Sequence, residues 1–328
     1  MEVERIFHSD TTEYVASEER GSSRALRLWI GVSHLVKFGV SCVIGGLSTV
    51  WDLLRCRWGP KSLAGQVALV TGGANGLGRE ICLRLACEQC RIAVVDINLH
   101  DAEKTAKDLL QMGAEAKAYK ADVADFEAMK KIRQQVLVDF GSVDILVNNA
   151  GLIAVLTLNS ATPEQIERMV AVNVTSVVMI TKLFLEDMIR QGRGHIVAIS
   201  SPLGLTASPG TVYGLTMHAI RGFMTCLNQE ILFSDWKDKI KTTCAFPFYM
   251  TTRKELTDYL NSLKMKGKVF LISPQVAANE IVKGIKWERR NVSIPAGYYF
   301  QMNLMGMFTS NIINRFYRMA LGTTDNFK

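Results

Sequence analysis

The chain has 328 residues, of which 48% are hydrophobic and 21% are charged. This composition excludes a disordered chain and fits one large domain or two small ones. The net charge is +7 and the pI is about 9.0, but the basic residues are scattered without interleaved aromatics, so no nucleic acid partner is expected. The seven cysteines are an odd, irregularly spaced set, which favours a reducing compartment.

The amino-terminal region has two parts of opposite character. Residues 1–27 are polar and acidic, unlike a signal or transit peptide. Residues 28–54 are mostly apolar, with Trp29 and Trp51 near the ends, and they predict a hydrophobic membrane anchor. A buried core helix is the alternative. A hairpin or a flat insertion into one leaflet also fits, because Gly45-Gly46 interrupts the run and Lys37 is costly at mid-depth.

A linker at residues 58–63 precedes a long alternation of strand and helix patterns. Short β-branched runs predict strands at 67–71, 91–96, 116–122, 143–148, 194–200 and 241–246. Helical patterns lie between them at 77–89, 101–112, 125–139, 163–190 and 211–234. The alternation predicts an α/β domain at 64–300 with a doubly wound parallel sheet of the Rossmann type.

The carboxyl-terminal segment, residues 301–328, continues a Met-rich apolar stretch that begins at residue 298. It fits a second membrane-contacting helix, or a core or dimer helix, and the pattern does not separate these alternatives.

The sequence TGGANGLG, residues 71–78, lies between the first predicted strand and a helix. Gly72 permits a tight turn, Gly76 lets the backbone approach a pyrophosphate, and Gly78 lets the helix pack on the strand. Asn75 and Leu77 complete the loop. The helix amino terminus supplies N–H groups and a favourable dipole for phosphates.

Asp96 ends the second predicted strand, 18 residues after Gly78. A carboxylate there accepts hydrogen bonds from the adenosine ribose hydroxyls and repels a 2′-phosphate. Ala74 offers no basic group to attract one. The sequence therefore predicts NAD as the cofactor rather than NADP.

The TGxxxGxG spacing resembles the short-chain dehydrogenase/reductase family, and the resemblance extends over about residues 64–300. Further family motifs follow in order, and they imply more cofactor contacts: Asp122 and Val123 at the adenine, Asn149, Ala150 and Gly151 of NNAG, and Pro247 and Thr252 of PGxxxT. The glycine of that last motif is replaced by Phe248.

The resemblance also implies a catalytic set. Tyr213 matches the base, which also contacts the cofactor, and Asn173 in AVNVTS matches the asparagine of a water relay. The serine that holds the substrate oxygen is ambiguous. Counting from Gly194 gives Ser201, whereas counting thirteen residues back from Tyr213 gives Ser200. We favour Ser201, because a strand register is harder to shift than a loop length.

Met217 occupies the position at which the family has a lysine, four residues after the tyrosine. The family lysine lowers the pKa of the tyrosine, which is about 10 in free peptides, and holds the nicotinamide ribose. Arg221, two turns down the same helix, is a weak candidate for the missing positive charge. His218 points away from the Tyr213 face.

The anchor and several shorter motifs resemble the membrane- and lipid-droplet-associated branch that includes retinol and 17β-hydroxysteroid dehydrogenases. This implies a lipophilic alcohol or ketone as substrate, and a place on the endoplasmic reticulum membrane or lipid droplet with the catalytic domain facing the cytosol. It also implies a homodimer through helices 163–190 and 211–234, and a substrate lid at 254–270. Two hypotheses stay open: an NAD-dependent oxidoreductase, or a pseudoenzyme that binds NAD and acts as a scaffold.

Overall fold

The computed structural model of the chain describes residues 59–154, 156–206, 211–250 and 271–305. The expected anchor at 28–54, the expected lid at 254–270, Thr252 and residues 306–328 of the carboxyl-terminal segment lie outside the described residues.

Seven strands and eight helices make up the described domain. The strands are β1 Val67–Thr71, β2 Arg91–Asp96, β3 Ala116–Lys120, β4 Ile145–Asn148, β5 Gly194–Ile199, β6 Ile240–Pro247 and β7 Asn291–Ile294. The helices are α1 Gly76–Cys87, α2 Leu99–Gln111, α3 Phe126–Phe140, α4 Pro163–Val170, α5 Ser176–Gln191, α6 Thr211–Leu232, α7 Pro274–Lys286 and α8 Tyr298–Met305. A single π turn, Ala171–Thr175, joins α4 to α5, and a short 3-10 turn, Pro202–Gly204, follows β5.

All seven strands form one sheet in the order β3-β2-β1-β4-β5-β6-β7. Every neighbouring pair is parallel. The direction of winding reverses between β1 and β4, which is where open α/β sheets bind ligands, at the carboxyl ends of the strands. The predicted doubly wound parallel sheet is therefore confirmed.

The sheet is covered on both faces, which explains the nearly continuous apolar strands. One face packs on α3, α5 and α6 through residues such as Phe184 and Ile220. The other face packs on α1, α2 and α7 through residues such as Leu85 and Ile281. Each strand therefore sends alternate side chains into two separate cores.

The predicted boundaries are wrong by one or two residues at several strand ends. The third strand ends at Lys120 and the fifth at Ile199, so Asp122 and Ser200 lie in the loops that follow. These shifts move both residues to the carboxyl edge of the sheet, where a ligand can reach them.

The helix predicted at 163–190 is interrupted by the π turn, and this corrects the prediction of one regular helix. Its start follows expectation, since Thr162 and Gln165 form a capping box around Pro163. Within the described residues, Pro163–Gln191 is the one stretch long and apolar enough to cross a membrane. Its Phe184 is completely buried against the sheet, and 44% of its most apolar window is buried, so core packing accounts for part of its apolar character.

Candidate active site

The glycine loop joins β1 to α1 and leaves the start of α1 open. Gly72 and Gly76 have φ angles of +63° and +56°, a left-handed conformation that favours glycine. A Cβ on Gly78 would lie 2.0 Å from the Gly72 carbonyl oxygen. Asn75 is the N-cap residue, but its side chain makes no capping bond and donates to Asp101 Oδ2 instead, at 2.9 Å. The first N–H groups of α1 are therefore not capped by this side chain.

Thr71 connects the ends of β1 and β4 through hydrogen bonds. Its hydroxyl donates to the Val147 carbonyl at 3.3 Å and accepts the N–H groups of Asn149 and Ala150 at 3.0 and 3.1 Å. The Asn149 amide donates in turn to the carbonyls of Thr71 and Gly72. A Cβ on Gly72 would lie 2.8 Å from the Ala150 Cα. Sequence reasoning missed Thr71, although it is the first residue of the glycine motif.

Asp96 lies at the end of β2, beside the glycine loop. Its Oδ2 accepts the N–H of Ala74 at 3.1 Å and its Oδ1 accepts the N–H of Asn98 at 3.0 Å. The carboxylate thus holds the loop while each oxygen keeps a second lone pair. Arg79, the arginine nearest to the glycine loop in sequence, pairs with Asp108 at 2.7 Å.

The expected adenine contacts lie in the loop after β3. Asp122 Oδ1 accepts the N–H of Ala124 at 3.0 Å, and Oδ2 accepts from Arg168 at 2.7 Å. Val123 is buried. Arg168 was not among the predicted site residues, because its partner lies 46 positions away in sequence. Its ion pair ties the loop after β3 to α4.

A dinucleotide fits the groups at this edge of the sheet. The loops after β1, β2 and β4 meet where the winding reverses. Two glycines approach backbone atoms so closely that no larger residue fits. The open start of α1 suits a pyrophosphate, and the Asp96 carboxylate suits ribose hydroxyls.

The π turn places Asn173 between β4 and α6. Asn173 is 1% exposed, and its Oδ1 accepts the N–H of Leu152 at 2.8 Å. Its Nδ2 donates to the Leu152 carbonyl at 2.9 Å and to Thr216 Oγ1 at 3.1 Å. The Thr216 hydroxyl donates onward to the Tyr213 carbonyl at 2.8 Å. Thr216, which sequence reasoning also missed, therefore connects the asparagine to the tyrosine's helix.

Two adjacent serines follow β5 and have different environments. The Ser200 hydroxyl donates to the Met217 carbonyl at 3.0 Å. Ser201 begins the 3-10 turn, and its Oγ accepts the N–H of Leu203 at 3.3 Å, so its own hydroxyl hydrogen is not used in that bond. Gly204 is required because a Cβ there would lie 2.5 Å from Ser200 Oγ.

Tyr213 is half-buried on the first turn of α6. Met217, one turn later, is 4% exposed and belongs to the core between the sheet and α6. Arg221, on the next turn, donates to Asn303 Oδ1 at 2.6 Å and to the Gly204 carbonyl at 3.4 Å. The guanidinium thus joins the serine turn to α8. His218 is exposed.

Two further residues expected to contact the cofactor, Gly151 and Pro247, lie in the described part of the chain. Gly151 follows Ala150, and a Cβ on it would lie 3.5 Å from Asn173 Oδ1. Pro247 ends β6 and pairs with Ile294 of β7. Phe248, which replaces the motif glycine, packs edge-on against Tyr298 of α8.

Comparison with known proteins agrees with this arrangement. The family model for short chain dehydrogenase matches residues 66–259. The chain is 32% identical over 239 residues to the putative oxidoreductase SadH of Mycobacterium tuberculosis, covering 69% of this chain and 84% of that protein. It is 30% identical to human estradiol 17-beta-dehydrogenase 11, covering 74% and 79%, and 33% identical to retinol dehydrogenase 10-A of Xenopus laevis, covering 62% and 70%.

Solved structures share the fold. A short-chain dehydrogenase/reductase from Burkholderia phymatum in complex with NAD has a TM-score of 0.67 at 20% identity, covering 78% of this chain and 96% of that one. A metagenomic short-chain oxidoreductase in complex with NADP has a TM-score of 0.59 at 24% identity, covering 71% and 98%. The chain belongs to the short-chain dehydrogenase family, whose members bind a nicotinamide cofactor.

Proposed function

We propose that the chain is an NAD(H)-dependent oxidoreductase that acts on the CH–OH group of a lipophilic alcohol, or on the corresponding ketone. The arrangement of Asn173, the serine turn and Tyr213 around the end of β4 carries this proposal. Asp96 supports NAD, since its carboxylate lies where a 2′-phosphate would be repelled. Relatives named for estradiol and retinol support a lipophilic substrate.

Ser201 is the serine we assign to the substrate. The Ser200 hydroxyl hydrogen is already donated to the Met217 carbonyl, whereas the Ser201 hydroxyl only accepts from Leu203 in its turn. Ser201 therefore has a hydrogen to donate to a substrate oxygen. It orients the oxygen toward Tyr213, and a shared hydrogen bond to both groups fixes the carbinol carbon.

Tyr213 moves the proton. In alcohol oxidation, the phenolate oxygen of Tyr213 takes the hydroxyl proton as the carbinol carbon becomes a carbonyl. Bound NAD supplies the acceptor for the hydride that leaves that carbon. In the reverse direction the Tyr213 hydroxyl returns the proton to the carbonyl oxygen. Asn173 is held rigidly by Leu152 and Thr216 and shapes the site for a relay of water molecules.

A catalytically impaired, NAD-binding scaffold protein is the second candidate. Met217 favours it, because a buried thioether brings no positive charge and donates no hydrogen bond to ribose. Losing such a group typically lowers the rate by about 10²- to 10⁴-fold. Arg221 does not simply replace the missing positive charge, because its guanidinium is hydrogen-bonded to Asn303 and Gly204.

We further propose that residues 28–54 anchor the chain on the endoplasmic reticulum or a lipid droplet, with the catalytic domain in the cytosol. We also propose that α5 and α6 pair two copies in a homodimer. Leu215 on α6 is 57% exposed, which supports an apolar contact there. In this proposal, residues 1–27 are a polar segment that precedes the anchor. Residues 301–328 are an apolar segment at the carboxyl end.

The test is NADH formation by the detergent-solubilised full chain offered all-trans-retinol, a steroid alcohol or a long-chain alcohol. Turnover of one of them with NAD, and at least tenfold less with NADP, supports the proposal. NAD binding without turnover of any of them, together with activity of the Met217→Lys variant, supports the scaffold protein instead.

A further inference from the structure

A small open pocket of about 80 Å³ lies at the opposite edge of the sheet from the glycine loop. It is formed by the end of α6 and the starts of β6 and β7. Ile231 and Ile240 supply an apolar floor, and Lys237, Lys241 and Arg290 line the walls. None of these residues belongs to the proposed active site.

The surface around the pocket is basic and carries an exposed aromatic ring. We call it the basic face and define it by Phe233, Lys237, Lys239, Lys241, Arg289 and Arg290. Phe233 is 85% exposed, and all but Lys241 are exposed to solvent. The acidic residues nearby are Asp235, Asp238 and Glu288, so the five basic side chains outnumber them.

Ion pairing leaves most of this charge unneutralised. Glu288, the acidic residue in the pocket wall, lies 3.4 Å from Lys61 and 4.0 Å from Lys241. One carboxylate is thus shared between two ammonium groups. A surface that combines several cations with an exposed aromatic ring fits the headgroup region of an anionic bilayer, where each basic side chain gains attraction and aromatic rings are enriched.

The chain enters the domain beside the basic face. The Lys61 N–H donates to the Lys286 carbonyl at 3.0 Å, and its ammonium contacts His195 Nδ1 at 3.0 Å. Only four residues separate Leu54, the end of the apolar segment, from Gly59. In sequence, the apolar segment therefore ends seven positions before Lys61.

We propose that the basic face docks on the headgroups of an anionic phospholipid membrane. This inference rests on the membrane association proposed above and adds the surface that makes contact. The cations bind headgroup phosphates and carboxylates, and Phe233 inserts at headgroup level. Because the glycine loop lies at the other edge of the sheet, docking leaves the dinucleotide site open to the aqueous side.

Hydrogen exchange by mass spectrometry tests the docking on the full chain bound to vesicles. The vesicles contain either phosphatidylcholine alone or phosphatidylcholine with about 30% phosphatidylserine. The variant Lys237→Glu/Arg290→Glu removes the attraction. Lys104→Glu/Lys107→Glu, on exposed positions of α2 at the other side of the sheet, makes the same change of charge and serves as the control.

We expect amides 233–241 and 287–291 to exchange at least about threefold more slowly on anionic than on neutral vesicles, and the difference to shrink at high salt, where charges are screened. The Lys237→Glu/Arg290→Glu variant should lose this protection and the control should keep it. If that variant does not fold, the exchange of the native chain on anionic and neutral vesicles, at low and high salt, tests the docking by itself.

Equal exchange on both kinds of vesicle would overturn the inference. Equal protection by inorganic phosphate without vesicles would also overturn it, since it would indicate a pocket for a soluble anion. If the chain does not float with vesicles at all, the membrane association itself fails. If it floats while these amides stay unprotected, only the docking surface is wrong.

Discussion

The backbone carbonyl of Met217 accepts the hydroxyl hydrogen of Ser200 at 3.0 Å. The bond involves no side-chain atom of Met217, so it holds the serine turn against α6 whichever residue stands at that position. The serine turn is therefore in place with Met217 at the position where we propose that the family lysine would stand, and its hydrogen bond does not depend on a charge there.

Restoring the lysine should raise turnover. We expect Met217→Lys to increase kcat for alcohol oxidation at pH 7 by at least about tenfold, the lower part of the range for a positioned acid–base group. Met217→Leu keeps the site apolar and should leave kcat unchanged. Steady-state NADH formation measures both. Equal rates for the two variants would show that the missing charge does not limit the reaction.

The same substitution should lower stability without cofactor. Met217 is 4% exposed, and an ammonium group placed there loses hydration, so we expect the free energy of unfolding to fall by about 1–3 kcal/mol. Met217→Leu should change it by less than about 1.5 kcal/mol. Urea unfolding with and without NAD measures both. A larger stabilisation by NAD in the lysine variant than in the native chain or Met217→Leu would place the ammonium beside the cofactor.

Asp96 should set the choice between cofactors. Asp96→Asn keeps the size of the side chain and one acceptor oxygen but removes the charge that repels a 2′-phosphate. We expect the ratio of the Kd values for NADPH and NADH to fall by about tenfold, which corresponds to about 1.4 kcal/mol. Fluorescence titration of the two cofactors gives the ratio. Asp101→Asn removes a charge from the same side of the loop and serves as the control. If Asp101→Asn lowers the ratio of the Kd values as much as Asp96→Asn does, Asp96 has no specific role in the choice of cofactor.

Thr216 should affect the chemical step. Thr216 is fully buried, and replacing it with Val removes the acceptor for Asn173 Nδ2 and the donor to Tyr213. An unpaired buried polar group costs about 1–3 kcal/mol, so we expect kcat to fall by about tenfold or more while the Kd of NAD changes little. Thr216→Ser keeps the hydroxyl and should keep kcat. If Thr216→Ser lowers kcat as much as Thr216→Val does, the packing of the threonine methyl group matters and the hydrogen bonds do not.

The stability of the domain should decline in acid because of His195. Thr243 Oγ1 donates to the Arg289 carbonyl at 2.8 Å, so it accepts from His195 Nε2, and Nδ1 accepts from Lys61. The ring is therefore neutral. Burial, followed by the positive charges of Lys61 and Lys241, holds the pKa of His195 well below its usual value of 6.5.

The unfolded chain takes up a proton on this histidine below pH about 6.5 while the folded chain does not. Its contribution to stability is therefore complete above that pH and is lost as the pH falls, by up to about 1.4 kcal/mol per pH unit. His195→Gln should be less stable at pH 8 and should show a shallower decline between pH 6.5 and 5. Urea unfolding across this range measures it, with the exposed His100→Gln as control. Parallel declines for both variants and the native chain would assign the acid sensitivity to other groups.

The sequence was sufficient for the sheet because its signals are local. The glycine motif and the apolar strands each specify their own turn or strand, so the order of elements and the position of the glycine loop could be predicted. The break at Ala171–Thr175 could not, because a single π turn is too short to leave a periodic pattern in the sequence. The hydrogen bond from the Leu152 N–H to Asn173 joins residues 21 positions apart and leaves no local signal either. The roles of Thr71, Thr216 and Arg168 depend on partners brought close only by folding.

The serine question shows the same limit. Counting along the chain predicts Ser200 or Ser201, because either the loop after the fifth strand is one residue short of the family spacing or the strand ends one residue early. The strand β5 ends at Ile199, one residue before its predicted end. The hydrogen bond from Ser200 to the Met217 carbonyl is a contact between residues 17 positions apart, and it separates the environments of the two serines in a way that no spacing rule does.

The proposed alcohol oxidation is tested by NADH formation in the native full chain compared with Tyr213→Phe, at saturating NAD and with the best alcohol of the substrate series. We expect measurable turnover by the native chain and a loss of at least about 10²-fold in the variant, with NAD binding retained. Equal rates in the two proteins, or no turnover by the native chain while NAD binds, would contradict it.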